Sequence, residues 1–252
     1  MKKFSQKKSR RTGLKPAAFV TGGASTLGRV ISLSLARAGY DLILHYGRSL
    51  DPTRKLQAEL KTLGCESTVF QADLGRPGTL AKAALKAPGY LKRLKLLVHN
   101  ASIFDKTSSE VFDEKDWKRI LDINLLSPYA LSCALRPFLK KNKGNIVHIT
   151  DIYGEHPVLK EHSAYCVSKG GLITVTKFLA GEWGPEVRVN AVSPGVISFP
   201  KNYSASKKKQ LAQKSALKRG GKPEDVAQTV LFFSQSTFIT GQVMNVDGGR
   251  FL

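Results

Sequence analysis

Acidic residues are scarce in this chain of 252 residues: 19 Asp and Glu stand against 40 Lys and Arg, a formal charge of +21. Cysteine is scarce too. Cys65, Cys133 and Cys166 are an odd set with no C-x-x-C spacing, which excludes a disulfide framework and a zinc ribbon. The five histidines (His45, His99, His148, His156, His162) show no metal-ligand spacing, so no metal is expected. No apolar run reaches the 18 or so residues of a membrane span. The basic N-terminus is not followed by the hydrophobic stretch of a secretory signal. A reducing cytoplasm is the simplest setting. Apolar residues at 42% and charged residues at 23% are ordinary globular values, which excludes disorder throughout. The length suits one α/β domain.

The excess charge is unevenly placed. Residues 1–15 carry seven basic side chains and no acidic one, and residues 198–222 carry eight and none. The first stretch reads as a disordered basic arm, with the folded domain over 16–252. Such an arm offers weak contact with phosphates, but no aromatic interleaving or recognition helix accompanies it, so nucleic acid is not expected as a partner.

From residue 17 onward, short apolar runs alternate with longer helical patterns. The runs 17–21, 42–46, 67–70, 94–99, 145–150, 187–192 and 243–246 read as strands. The segments 27–38, 52–63, 113–122, 125–140, 164–182 and 224–234 read as helices. This alternation predicts βαβ units and a single-domain, doubly wound, Rossmann-type parallel sheet with helices on both faces. Ligands of such sheets bind at the carboxyl ends of the strands, where strand order reverses.

Two ends of the pattern carry chemistry. After the first strand comes Thr21-Gly-Gly-Ala-Ser-Thr-Leu-Gly28, opening directly into a helix. Small residues there let backbone approach a pyrophosphate, and the helix N-terminus offers free N–H groups to it. Gly22, Ser25, Thr26, Leu27 and Gly28 are the candidate cradle; the alternative is a tight turn with no ligand. The second strand ends His45-Tyr46-Gly47-Arg48-Ser49, without the carboxylate that holds an NAD ribose. Arg48 suits a 2′-phosphate, which favours NADP(H). Farther on, Tyr165 and Lys169 stand at i, i+4 on one helix face. A neighbouring ammonium is expected to lower the phenol's pKa and make Tyr165 a usable acid. Asp151 ends the fifth strand fourteen residues earlier, and Asn124 enters a helix after the preceding crossover. Cys166 reads as packing.

With these pieces in order, residues 17–252 resemble the short-chain dehydrogenase/reductase family. The matching motifs are Thr-Gly-x-x-x-x-Leu-Gly (21–28), Ala-Asp-Leu (72–74), Asn-Ala-Ser (100–102), Asn124, Tyr-x-x-x-Lys, Arg-Val-Asn-Ala-Val-Ser-Pro-Gly (188–195) and Phe-Ile-Thr-Gly-Gln-Val-Met-Asn-Val-Asp-Gly-Gly (238–249). The resemblance implies that Tyr165 is the acid, that Lys169 holds the nicotinamide ribose and tunes Tyr165, and that Asn124 supports a proton relay. It places Tyr46, Ser49, Asp73, Leu74, Asn100, Ala101, Ser102, Pro194, Gly195 and Val196 around the cofactor, makes 198–222 a mobile substrate lid, and implies a homotetramer.

Within that family, His-Tyr-Gly-Arg-Ser (45–49), His-Asn-Ala-Ser-Ile-Phe (99–104), His-Ile-Thr-Asp (148–151) and Asp-Gly-Gly-Arg (247–250) resemble pteridine reductases, the bacterial dihydromonapterin reductases most of all. The resemblance implies NADPH-dependent reduction of a dihydropterin or dihydrofolate. Asp151 stands where most of the wider family has Ser, and Phe104 aligns with the aromatic residue that sandwiches the pterin. Ser102, Phe104, Asp151 and Tyr165 would then touch substrate. Alternative roles are loop packing for Phe104 and a strand-end cap for Asp151. Thr26 stands where pteridine reductases usually carry Arg, and the interval from Asp151 to Tyr165 is one residue longer than usual. The alternative functions are a carbonyl reductase such as a 3-oxoacyl-carrier-protein reductase, and a non-catalytic basic binding protein on the same fold.

Overall fold

The computed structural model describes residues 14–85, 89–197 and 204–252. All but the last two residues of the basic arm, and residues 198–203 of the lid, lie outside the described residues.

Seven strands form one sheet: β1 (Ala17–Val20), β2 (Asp41–Tyr46), β3 (Ser67–Gln71), β4 (Leu94–His99), β5 (Asn145–Ile149), β6 (Arg188–Pro194) and β7 (Val243–Val246). Every pair is parallel, in the order β3-β2-β1-β4-β5-β6-β7. The doubly wound sheet with helices on both faces is thus as expected. Strand order reverses between β1 and β4, which puts the crevice at the ends of those two strands.

Helices α1 (Thr26–Arg37), α2 (Leu50–Thr62) and α8 (Pro223–Gln235) accompany one core cluster, built around Ile31, Leu35, Leu42, Leu56 and Val230. Helices α3 (Pro77–Ala84), α5 (Ser127–Lys141) and α6 (Ser163–Trp183) accompany the other, around Phe19, Leu80, Leu97, Leu135 and Leu179. Central strands are buried on both faces, so they read as continuous apolar runs.

Three helical segments differ from expectation; one is α3, where no helix was anticipated. The helices anticipated at 113–122 and 125–140 are α4 (Glu114–Leu121) and α5, joined without a break by a π-helical turn over Asp122–Leu126. Such turns insert an extra residue and re-aim a side chain. The basic stretch also contains helix α7 (Ala205–Gln213), capped by Ser204, whose hydroxyl accepts the Lys207 N–H at 3.2 Å.

Candidate active site

The glycine turn and the end of β4 are stitched together at the switch point. The Thr21 hydroxyl accepts the backbone N–H groups of Asn100 and Ala101, both at 3.0 Å. The Asn100 carboxamide donates to the carbonyls of Thr21 at 2.9 Å and Gly22 at 3.1 Å. Ser25 caps α1 by accepting the Gly28 N–H at 3.2 Å. Gly28 has no room for a side chain: a Cβ there would lie 2.1 Å from the Gly22 carbonyl oxygen and 2.7 Å from Asn100 Nδ2. The turn is therefore drawn tightly under the N-terminus of α1, whose partial positive charge faces the crevice.

Two cavities adjoin here. One, of about 520 Å³, is lined by Gly22, Ser25, Thr26 and Leu27 on one side and by Phe104, Asp151, Tyr165 and Lys169 on the other, with Pro194 and Gly195 closing it. The second, of about 640 Å³, is lined by Arg48, Asp73 and Leu74. Both include Gly22, Ala101 and Ser102, so they form one cleft across the ends of β1, β2 and β4. The cradle suits a dinucleotide, with the guanidinium-bearing end for a phosphorylated ribose.

Most of the anticipated residues are thus brought together. Gly28, Tyr46, Ser49, Asn124 and Val196 line neither cavity. The Tyr46 carbonyl is instead bonded to the Ala72 N–H, the Ser49 carbonyl accepts the Thr53 hydroxyl at 2.8 Å, and the Val196 carbonyl accepts the Gly221 N–H at 3.0 Å. Sequence reasoning had left out His45, which lines the second cavity. Its Nδ1 accepts the Gly22 N–H at 3.2 Å, so the Nε2 proton points to the Ala72 carbonyl at 3.1 Å. Burial lowers its pKa, against the opposing bond to Ala72, and the ring is a neutral strut under the glycine turn.

The reacting end is built by α6, β5 and the π-helical turn. The Tyr165 hydroxyl donates to Asp151 Oδ2 at 2.7 Å. Asp151 caps a single 3-10 turn, Ile152–Gly154, by accepting the Tyr153 N–H at 2.9 Å. Gly154 presses on α6: a Cβ there would sit 2.8 Å from the Lys169 carbonyl carbon. Close backbone approach brings the Asp151 turn onto the helix that carries Tyr165.

Lys169 is buried, with Nζ donating to the Ile149 carbonyl at 2.9 Å and standing 5.7 Å from the Tyr165 ring centroid. The expected acidification of Tyr165 by Lys169 is not met. Burial holds the phenol well above its ordinary value, and the charge and hydrogen bond of Asp151 raise it further. The carboxylate touches the phenol and the ammonium does not, so the nearer charge wins. Burial raises Asp151 as well, opposed by its bonds to Tyr153 and Tyr165 and by the charge of Lys169. Tyr165 is a neutral donor here, with a proton already directed along a hydrogen bond.

Burial lowers Lys169 to about 8, with Asp151 opposing the shift. Its charged form is therefore disfavoured in the fold, and Lys169→Met is expected to stabilise the free protein by about 2 kcal/mol at neutral pH. The sign follows from linkage. Below about 8 both folded and unfolded lysines are protonated and the penalty is complete; between about 8 and the ordinary 10.5 it fades as the folded group sheds its proton first. Urea midpoints should show the variant ahead at pH 7 and the gap narrowing by pH 10. A variant less stable at both would contradict this.

Asn124 lies within the π-helical turn. Its carboxamide accepts the Ile103 N–H at 2.9 Å and donates to the Ile103 carbonyl at 3.0 Å and to the Ser168 hydroxyl at 3.1 Å. It thereby ties the loop that carries Phe104 to α6. Thr107 adds a second tie, accepting the Ala164 N–H at 3.2 Å. Phe104 remains half-exposed at the cleft, edge-on to Tyr165 at 4.7 Å between centroids and stacked on His162 at 4.4 Å. Behind β5, His99 and His148 stack at 5.0 Å, both buried, bonded to Ser132 and Thr176 at 2.8 Å. Burial, with the charge of Lys169, takes His148 down to about 3, so it is neutral. Among the described residues no cluster of His, Cys, Asp or Glu could hold a metal, and no helix is long and apolar enough to cross a membrane.

A family model described as enoyl-(acyl carrier protein) reductase matches residues 22–250. The chain belongs to the short-chain dehydrogenase/reductase family. It is an oxidoreductase of that family. A 3-oxoacyl-[acyl-carrier-protein] reductase of Synechocystis sp. is 32% identical over 241 residues, covering 92% of this chain and 95% of that protein. Another, from Staphylococcus epidermidis, is 30% identical over 244 residues, covering 94% and 99%. Among solved structures, a blue fluorescent protein from a metagenomic library in complex with NADPH superposes with a TM-score of 0.87 at 28% identity, covering 94% of this chain and 98% of that one. FolM alternative dihydrofolate reductase 1 from Brucella suis, in complex with NADP, gives 0.84 at 29%, covering 93% and 94%.

Proposed function

We propose that the chain catalyses NADPH-dependent reduction of a pteridine, namely a dihydropterin such as dihydromonapterin or dihydrobiopterin, or a dihydrofolate. The observation that carries this reading is the carboxylate of Asp151 in hydrogen-bond contact with the Tyr165 hydroxyl at the cleft. A ketone needs one proton donor at its oxygen. A pterin ring presents an amino group and several ring nitrogens, which a carboxylate can accept from and a protonated carboxyl can donate to. The ring of Phe104 offers a flat face beside that pair, suited to offset stacking worth about 1 kcal/mol beyond burial.

When bound, the reduced nicotinamide supplies a hydride to the carbon of a ring C=N bond. Tyr165 and Asp151 deliver a proton to the nitrogen, so the product gains both. Lys169 orients the nicotinamide ribose and, with Asn124, replenishes the proton. Gly22, Ser25, Thr26 and Leu27 hold the pyrophosphate, and Arg48 the 2′-phosphate. NADP and NADPH in the two neighbouring structures support this choice. Arg48→Ala should weaken NADPH binding by about tenfold, one charge-assisted contact, and leave NADH nearly unchanged; equal losses in a fluorescence titration would contradict the assignment. A homotetramer belongs to the reading, and exposed Val167, Phe178 and Phe238 are surfaces that association would cover.

The competing reading is a 3-oxoacyl-carrier-protein reductase, favoured by the names of the curated relatives. Asp151→Ser separates the two. It should lower pterin turnover by about a hundredfold while changing NADPH affinity by less than about threefold. Unchanged pterin turnover would remove the role assigned to Asp151.

A further inference from the structure

The basic stretch 204–222 runs directly into Pro223, and its Gly221 N–H donates to the Val196 carbonyl at 3.0 Å beside Ile197; Ile197 and Pro223 both line the same cavity as Tyr165 and Asp151, so the end of the stretch borders the mouth of the active site. Among the described side chains of helix α7 within it, none is buried. What holds it is polar and local. The Arg250 guanidinium donates to the Leu211 carbonyl at 2.9 Å, and the N–H groups of Ala216 and Leu217 donate to the carbonyls of Gly249 and Gly248, both at 3.1 Å. The stretch is thus fastened to the C-terminal turn, with Lys209, Lys214, Lys218, Arg219 and Lys222 exposed and no acidic side chain between 204 and 222. The Asp225 carboxylate stands 4.0 Å from Arg219. Like charges concentrated in this way repel one another, and a bound polyanion would relieve that repulsion.

We propose that this cationic rim binds a flexible oligo-carboxylate extension of the substrate, so that the preferred substrate is a pteridine carrying a chain of carboxylates, as in a dihydrofolate with several linked glutamates. This rests on the pteridine reading. The location favours a group attached to the reacting ring, since the rim ends at Gly221 and Lys222, against Ile197 and Pro223, which line the cavity of the catalytic pair. An acidic protein is less well matched. Protein interfaces have an apolar core within a polar rim, whereas the described part of the stretch exposes one large apolar side chain, Leu217. Exposed charges at such a mouth accelerate and strengthen encounter with an opposite charge, and salt removes the effect over a Debye length of about 10 Å at 0.1 M.

The test compares kcat/KM for dihydrobiopterin, dihydrofolate with one glutamate and dihydrofolate with five, at about 30 and 300 mM salt, in the wild type and in the triple variant Lys209→Gln/Lys214→Gln/Lys218→Gln. The pentaglutamate should exceed the monoglutamate by about tenfold at low salt, through KM. That ratio should fall towards one at high salt and in the triple variant. Pterins turned over with a ratio near one at both salts would overturn the rim's role and leave the pteridine reading standing. No pterin turned over, with an acetoacetyl thioester reduced, would overturn both. A carrier-protein-linked thioester preferred over the free one, with the preference lost in the triple variant, would reassign the rim to an acidic protein.

Discussion

Tyr165→Phe is expected to lower kcat about a thousandfold while leaving the folded state and NADPH affinity nearly intact. The magnitude is that of losing a positioned proton donor. The hydroxyl is buried and donates to Asp151, so its removal deletes the donor without opening a large cavity. A residual rate is expected, because a protonated Asp151 can still reach the same region. Burial favours that protonated form, and the residue should therefore carry what activity remains. Adding Asp151→Asn to Tyr165→Phe should then remove this residual rate and cost at least as much as the two single losses multiplied, since no second donor is left. Steady-state rates on the single and double variants check this. A Tyr165→Phe enzyme retaining more than about a tenth of wild-type kcat would mean that the proton arrives by another route.

Gly28→Ala carries the second large effect. The added Cβ would meet the Gly22 carbonyl oxygen, Asn100 Nδ2 and the Ser25 hydroxyl at 2.1, 2.7 and 2.9 Å. The nearest of these is backbone and cannot swing aside, so the turn itself must move. A loss of about 3 kcal/mol in stability is expected, with a melting temperature lower by roughly 6 to 10 °C in a domain of this size. Displacing the turn also removes the N–H groups aimed at the pyrophosphate, and dinucleotide affinity should fall by about a hundredfold or more. Calorimetry and a binding titration read the two effects separately. Normal melting with normal affinity would show that the turn is looser than its hydrogen bonds indicate.

Much of this was legible in the chain, for identifiable reasons. The strand runs are apolar because both faces of the parallel sheet are covered, and the glycine turn announces itself between a strand and a helix. The break between 122 and 125 was misleading. Asn124 interrupts the apolar helical period because its side chain turns to Ile103 and Ser168, and the π-helical turn absorbs it without ending the helix. Helix α7 was hidden because none of its described side chains is buried, so no apolar period marks it. His45 was passed over because its work lies in both ring nitrogens at once, bonded to residues 23 and 27 positions away. The electrostatics of Tyr165 were misjudged for a related reason. The i, i+4 spacing placed Lys169 on the right helix face, but the tertiary contact with Asp151 sets the charge the phenol experiences.

On the proposed reading, the pairing of a carboxylate with the phenol is what selects a ring-nitrogen substrate over a ketone. The most direct measurement is therefore the ratio of kcat/KM for dihydrobiopterin to that for an acetoacetyl thioester, each followed as NADPH oxidation by the wild-type protein. The expected ratio exceeds about 100, a transition-state preference of about 3 kcal/mol. A ratio below one, with Asp151→Ser reducing the thioester faster than the wild type, would contradict the pteridine assignment.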